Sequence, residues 1–96
     1  MFVLSLQVEV HVPNARSLKN KRSAVKPVIE GARRRFGVSA AEVDHQHKWQ
    51  RASIGFAVVS STHAKAQDII DSVERFVWSF PEIVVMNADR IWLEAS

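Results

Sequence analysis

The apolar residues of this chain change their period along its length, and the order of those changes leaves few folds open. Residues 2–12 alternate: Phe2, Leu4, Leu6, Val8, Val10 and Val12 fall on one side, and Val3, Ser5, Gln7, Glu9 and His11 on the other. A period of two marks a strand with one buried face. Pro13 and Asn14 stop it. The period then becomes helical over 18–36, where Leu18, Val25, Ile29, Ala32 and Phe36 lie within about 60° of one another at 100° per residue, with Val28 beside them. Ser17 is placed to cap the start and Gly37 to end the helix. Arg33, Arg34 and Arg35 crowd its last turn, where cations suit the helix dipole. Pro27 falls inside this segment, nearly opposite the apolar stripe. Two readings follow: a helix that bends around the core through Pro27, or one that begins only near Lys26.

Two further strands are expected over 38–44 and 52–59, joined by the tip "HQHKWQR". A second helix is expected over 63–80, with Ala66, Ile69, Ile70, Val73, Phe76, Val77 and Phe80 at helical spacing and Pro81 after it. "IVVMNADRIWLE" supplies a last strand with a bulge or break near Asn87 and Ala88. The order βαββαβ is the split βαβ, ferredoxin-like arrangement. With right-handed crossovers it gives an α+β domain spanning 1–96, a four-stranded antiparallel sheet with both helices on one face.

With 96 residues there is room for one core and not two. No cysteine is present, which excludes disulfides, thiolate metal sites and cysteine nucleophiles. A domain this small without such staples is expected in the cytoplasm. The apolar opening lacks the cationic start of a signal peptide, and no apolar run reaches the ~18 residues of a membrane span. The net charge is a modest +3, but it is unevenly placed. From Asn14 to Gly37 there are eight cations against one acid, Glu30; the remainder carries five cations and nine acids. Such asymmetry speaks about partners and not about fold.

The basic segment is therefore the leading candidate site. Arg22, Lys26 and Arg33 project along one edge of the first helix, with Lys19 close by and Lys21 on the opposite flank of the apolar stripe. Arg16 stands in the loop before it, near exposed N-terminal amides. Such a cluster suits the phosphate backbone of a nucleic acid; the plainer reading is a solvated helix face whose long stems shield the core. The stems of Lys21 and Arg22 are expected to cover the end of the core while their charges reach out near Arg16. Trp49 and Arg51, at the hairpin tip, would add a stacking or polar contact; a packed tryptophan is the plainer reading, and Trp78 and Trp92 are read in the same way, although Trp78 lies off the buried stripe of its helix, which points to partial exposure. His45 and His47 share a strand face, but two imidazoles are short of a zinc ligand set, so no metal and no cofactor is expected. The central strands offer Ser5, Gln7, Glu9, Ser53, Gly55 and Ala57 on the outer face. They lack the aromatic pair with which an RNA-recognition motif stacks bases, so any RNA must use the helix. That polar face suits instead a homodimer or another protein-interaction surface, the second reading of the chain. Glu42 and Asp44 are the paired carboxylates, with no sign of burial around them. No glycine-rich phosphate loop follows the first strand and residues 52–59 hold no Asn, so acylphosphatase-like chemistry is not expected; the chain reads as a non-enzyme with no known small-molecule substrate.

Three patches, "ARSLKNKR", "RRRFGVSAAEV" and "WQRASIGFAVVSS", resemble in order and spacing the YlxP-like family of small bacterial proteins of unknown function. The likeness runs over nearly the whole chain and is strongest over 15–60. It implies a ferredoxin-like fold and no established activity, cofactor or catalytic residue. Members of that family are often encoded beside genes of translation initiation and ribosome maturation, so the resemblance points, by association, to RNA or the ribosome as partner. Pro27 and the "HQH" tip look like local departures outside the shared patches.

Overall fold

The computed structural model describes residues 1–94. Its elements run β1 (Phe2–His11), α1 (Leu18–Phe36), β2 (Ser39–Asp44), β3 (Arg51–Ser60), α2 (His63–Trp78) and β4 (Val84–Glu94). The strands form one antiparallel sheet in the order β2-β3-β1-β4, so the first and third strands are central and β2 and β4 are edges. The expected βαββαβ arrangement is the one observed.

The alternation of β1 decides which face is buried. Leu4, Leu6, Val8 and Val10 are all within 1% of complete burial, and the register sets them beside Ala52, Ile54, Phe56 and Val58 of β3. Val25, Val28 and Ala32 of α1 and Ala66, Ile70, Val73 and Val77 of α2 close over them. Complete burial of a side chain such as Leu or Val contributes roughly 1.5–3 kcal/mol, and the core is continuous across both helices.

Helix α1 begins where Ser17 caps it, the side chain accepting from the Asn20 N–H, and ends at Gly37, whose φ of 66° is the left-handed conformation that favours glycine. It runs unbroken through Pro27, which resolves the choice between a bent helix and a late start. Pro27 is exposed and has no N–H for the Ser23 carbonyl, one turn back. Helix α2 stops at Trp78, two residues before the expected end, because Ser79 and Phe80 turn away with hydrogen bonds to Phe76 and Val77.

The irregularity of β4 lies one residue earlier than expected. Glu9 pairs with Asn87 and Val10 with Val85, leaving Met86 as the extra residue of a bulge. The bulge resets the alternation, so Val85 and Ala88 both pack on the core, although strict alternation would separate them. Farther along β4, Arg90 reaches Asp71 at 2.7 Å and Glu74 at 3.1 Å, tying the edge strand to α2. Partial burial acts to lower the Arg90 pKa, but hydrogen bonds to these two carboxylates outweigh it and raise it above the ordinary arginine value.

The helices approach closely at Gly31. A Cβ there would stand 2.5 Å from Cζ of Phe76, whose ring is held edge-on by Phe36 and Phe80. Alanine favours a helix over glycine by about 1 kcal/mol, while overpacking costs about 1–3 kcal/mol. Gly31→Ala is therefore expected to be destabilising by about 1 kcal/mol in urea unfolding, since the crowded ring outweighs the propensity gain. A variant as stable as the parent would show that Phe76 moves aside freely.

Candidate functional site

The basic segment divides into groups with different fates. Arg16, Lys19, Arg22, Lys26 and Arg33 are exposed. Lys26 faces Glu30 one turn on at 3.9 Å, with both side chains largely exposed; a contact of this kind is worth little. Arg22, Lys26 and Arg33 border a shallow groove between α1 and the edge strand β2. Arg33 also donates to the Ala40 carbonyl, covering part of that edge.

Lys21 is a correction to the sequence reading. Its side chain is fully buried and its ammonium never reaches solvent. Nζ donates to Glu42 Oε2 at 2.7 Å, to the His45 carbonyl at 2.8 Å, and more weakly to the carbonyls of Arg51 and Gln46. Lys21 is thus unavailable to a phosphate; it anchors the β2–β3 hairpin from beneath. Glu42 is accordingly far from the unburied carboxylate expected, its side chain being only 16% exposed. A burial signal was present in the sequence: Glu42 continues the inward positions Val38 and Ala40, and Lys21 lies at the margin of the apolar stripe between Leu18 and Val25. Two opposite charges on facing core positions call for each other.

The hairpin tip is brought beside the start of α1. The Val12 N–H donates to the Gln50 carbonyl, and Gln50 Nε2 donates to the carbonyls of Ala15 and, more weakly, Pro13. Trp49 and Arg16 are each one residue away from this bonded pair. Trp49 is 56% exposed and Arg51 is also exposed, so Arg16, Trp49 and Arg51 lie together at one end of the molecule. Trp92, by contrast, is packed, its ring stacked at 3.7 Å on His63, whereas Trp78 is exposed.

On the outer sheet face, Gln7 donates to Ser53 Oγ and Ser53 donates to Glu9 Oε1, each at 2.9 Å. Glu9 Oε2 is buried without a hydrogen bond, 3.7 Å from Nε2 of His45. His45 itself takes a positive φ of 64°, with its N–H held by Asp44 Oδ1. Among the described residues no three His, Cys, Asp or Glu side chains gather as an ion-binding group. The outer face is also less uniformly polar than its central residues imply: Val43, Val59, Ile91 and Leu93 are all exposed around them.

In the sequence, Arg34 and Arg35 answer only to the helix dipole. They line a second groove, between the two helices, together with Lys26 and the rings of Phe76 and Phe80. The Arg35 guanidinium sits 5.0 Å from the Phe76 ring centre. Sequence periodicity places these arginines away from the core, but it does not show that α2 supplies a wall opposite them.

Fold and surface together define a ferredoxin-like α+β protein that displays a basic helix beside a lysine-anchored hairpin. The chain belongs to the family described as "Protein of unknown function (DUF503)", which matches residues 3–90. It is 38% identical over 77 residues to the uncharacterized protein YlxP of Bacillus subtilis (strain 168), covering 80% of this chain and 84% of that protein. The resemblance drawn from the three sequence patches is thereby established. A de novo designed protein with ferredoxin fold, solved by solution NMR, superposes with a TM-score of 0.56 at 18% identity, over 97% of this chain and 84% of that one. That likeness concerns the fold alone. No helix among the described residues is long and apolar enough to cross a membrane.

Proposed function

We propose that this protein is a non-enzymatic, cytoplasmic RNA- or ribosome-binding protein that grips phosphates with the exposed cations of α1. The observation that carries this reading is the one-sided charge of the helix. Arg16, Lys19, Arg22, Lys26 and Arg33 all face solvent, with Glu30 the one acid between Asn14 and Gly37. A face that served solvation alone would mix its signs. Trp49 and Arg51 extend the surface with an aromatic plane and a further cation. Filter binding of a mixed-sequence single-stranded RNA is the test, comparing the parent with Lys19→Gln/Arg22→Gln. Both residues are exposed on the helix, so the fold is kept. Undiminished affinity in the double variant would end this reading.

A second reading is favoured by the exposed Val43, Val59, Ile91 and Leu93 on the outer sheet face: a homodimer formed through that face. It predicts a sedimentation coefficient that rises with concentration and returns to the monomer value in Ile91→Lys. A concentration-independent monomer would exclude it. The two readings concern opposite layers of the molecule and are independently testable.

A further inference from the structure

The groove between the helices is chemically different at its two ends. At one end a hollow of about 370 Å³ is floored by Val12, Ala15, Ala24 and Phe80 and edged by Asn20 and Glu82. At the other, a hollow of about 520 Å³ is edged by Arg34, Arg35 and the Lys26–Glu30 pair, so its net charge is positive through the two arginines. Both are lined by Ser23, Pro27 and Phe80, so the two hollows adjoin along the groove. Their sizes fall in the range of small-molecule sites, roughly 300–1,000 Å³.

The apolar end carries acceptors. The Ser23 carbonyl has no helical N–H to meet, because the residue four places on is Pro27. The Glu82 carboxylate is exposed and makes no ion pair among the described residues. Asn20 uses its Oδ1 to hold the Arg16 N–H, which leaves its amide N–H groups as donors. An anion alone would be repelled by Glu82. A flat apolar group with paired donors on one edge, joined to an anion, fits both ends.

We propose that this trough binds a guanine nucleotide unit of single-stranded RNA, with the base at the Glu82 end and the phosphate at Arg34 and Arg35. Among the bases guanine presents two adjacent donors, N1–H and the 2-amino group, which match the two oxygens of one carboxylate. Adenine, cytosine and uracil lack that pair. Arg34 and Arg35 meet the phosphate with charge-assisted hydrogen bonds. The RNA source rests on the function proposed above, but the nucleotide site shares only Lys26 with that surface: neither Lys19 nor Arg22 lines the trough.

The test is NMR titration of the intact protein with GMP, AMP, CMP, UMP and guanosine, following the methyls of Val12, Ala15 and Ala24. GMP is expected to move these signals and to bind about 10-fold more tightly than the other nucleotides, a preference lost in Glu82→Gln. Arg34→Gln/Arg35→Gln is expected to weaken GMP about 10-fold and guanosine little. All three positions are exposed, so the variants keep the fold. Equal responses to the four nucleotides, or none at these methyls, would overturn the proposal whatever the RNA assay shows. GMP binding that depends on Glu82, with RNA affinity indifferent to Lys19→Gln/Arg22→Gln, would support the trough and end the phosphate-gripping reading.

Discussion

Lys21→Ala is expected to lower the stability of the fold by about 3–5 kcal/mol, which in a domain of this size depresses the melting temperature by about 20 °C. The ammonium meets one carboxylate and three carbonyls, and no water reaches it. Taking a charge out of water is costly and is tolerated only where partners replace the lost hydration. Here they do, so removal of Lys21 leaves the mostly buried Glu42 without its counter-ion and the hairpin carbonyls without a donor. A cavity where the stem lay adds to the loss. Lys21→Met separates these terms by keeping the stem and removing the charge. Lys21→Met/Glu42→Leu removes both charges; such paired replacement is often neutral in other buried pairs. Here it is expected to recover only part of the loss, because the carbonyls of His45, Gln46 and Arg51 stay unmatched. Urea unfolding at constant m-value measures each variant. Lys21→Ala within about 1 kcal/mol of the parent would show that the buried pair contributes little net stability.

The same residue shows where sequence legibility ends. Period located β1, β3 and the two helices, because the alternation of the strands and the stripes of α1 and α2 are each set by one buried face. It also gave the caps Ser17 and Gly37, where local chemistry is sufficient. What it missed depends on partners distant in the chain. Lys21 and Glu42 are 21 residues apart, and the tip carbonyls farther still. The bulge at Met86 was misplaced by one residue because it is defined by the facing strand, through Glu9 and Val10. The groove beside Arg34 and Arg35 was invisible for a similar reason: its opposite wall is Phe76 and Phe80 of the segment that ends α2. The exposed basic edge, by contrast, was legible from helical angles, since pointing outward needs no partner.

That outward edge makes the strongest functional prediction. If Arg16, Lys19, Arg22, Lys26 and Arg33 each neutralise one RNA phosphate, log K should fall with log salt at a slope of about −3.5, taking 0.7 per contact for a single strand. Affinity should then drop about 100-fold between 50 and 200 mM salt. Lys21 contributes nothing to this slope, since its charge is already neutralised by Glu42 inside the fold. Lys19→Gln/Arg22→Gln should reduce the slope by about 1.4 and weaken binding across sequences without altering base preference. Modest net charge does not weaken the expectation, because the acids lie mainly outside the segment 14–37 and short-range contacts are set by the local face. Each cation counted here is exposed, and the long stems let the charges follow a flexible strand. A slope near zero would mean that no phosphate is held, however tightly the RNA bound. An unchanged slope in Lys19→Gln/Arg22→Gln would place the contacts elsewhere, on Arg34, Arg35 or the cations of the hairpin tip.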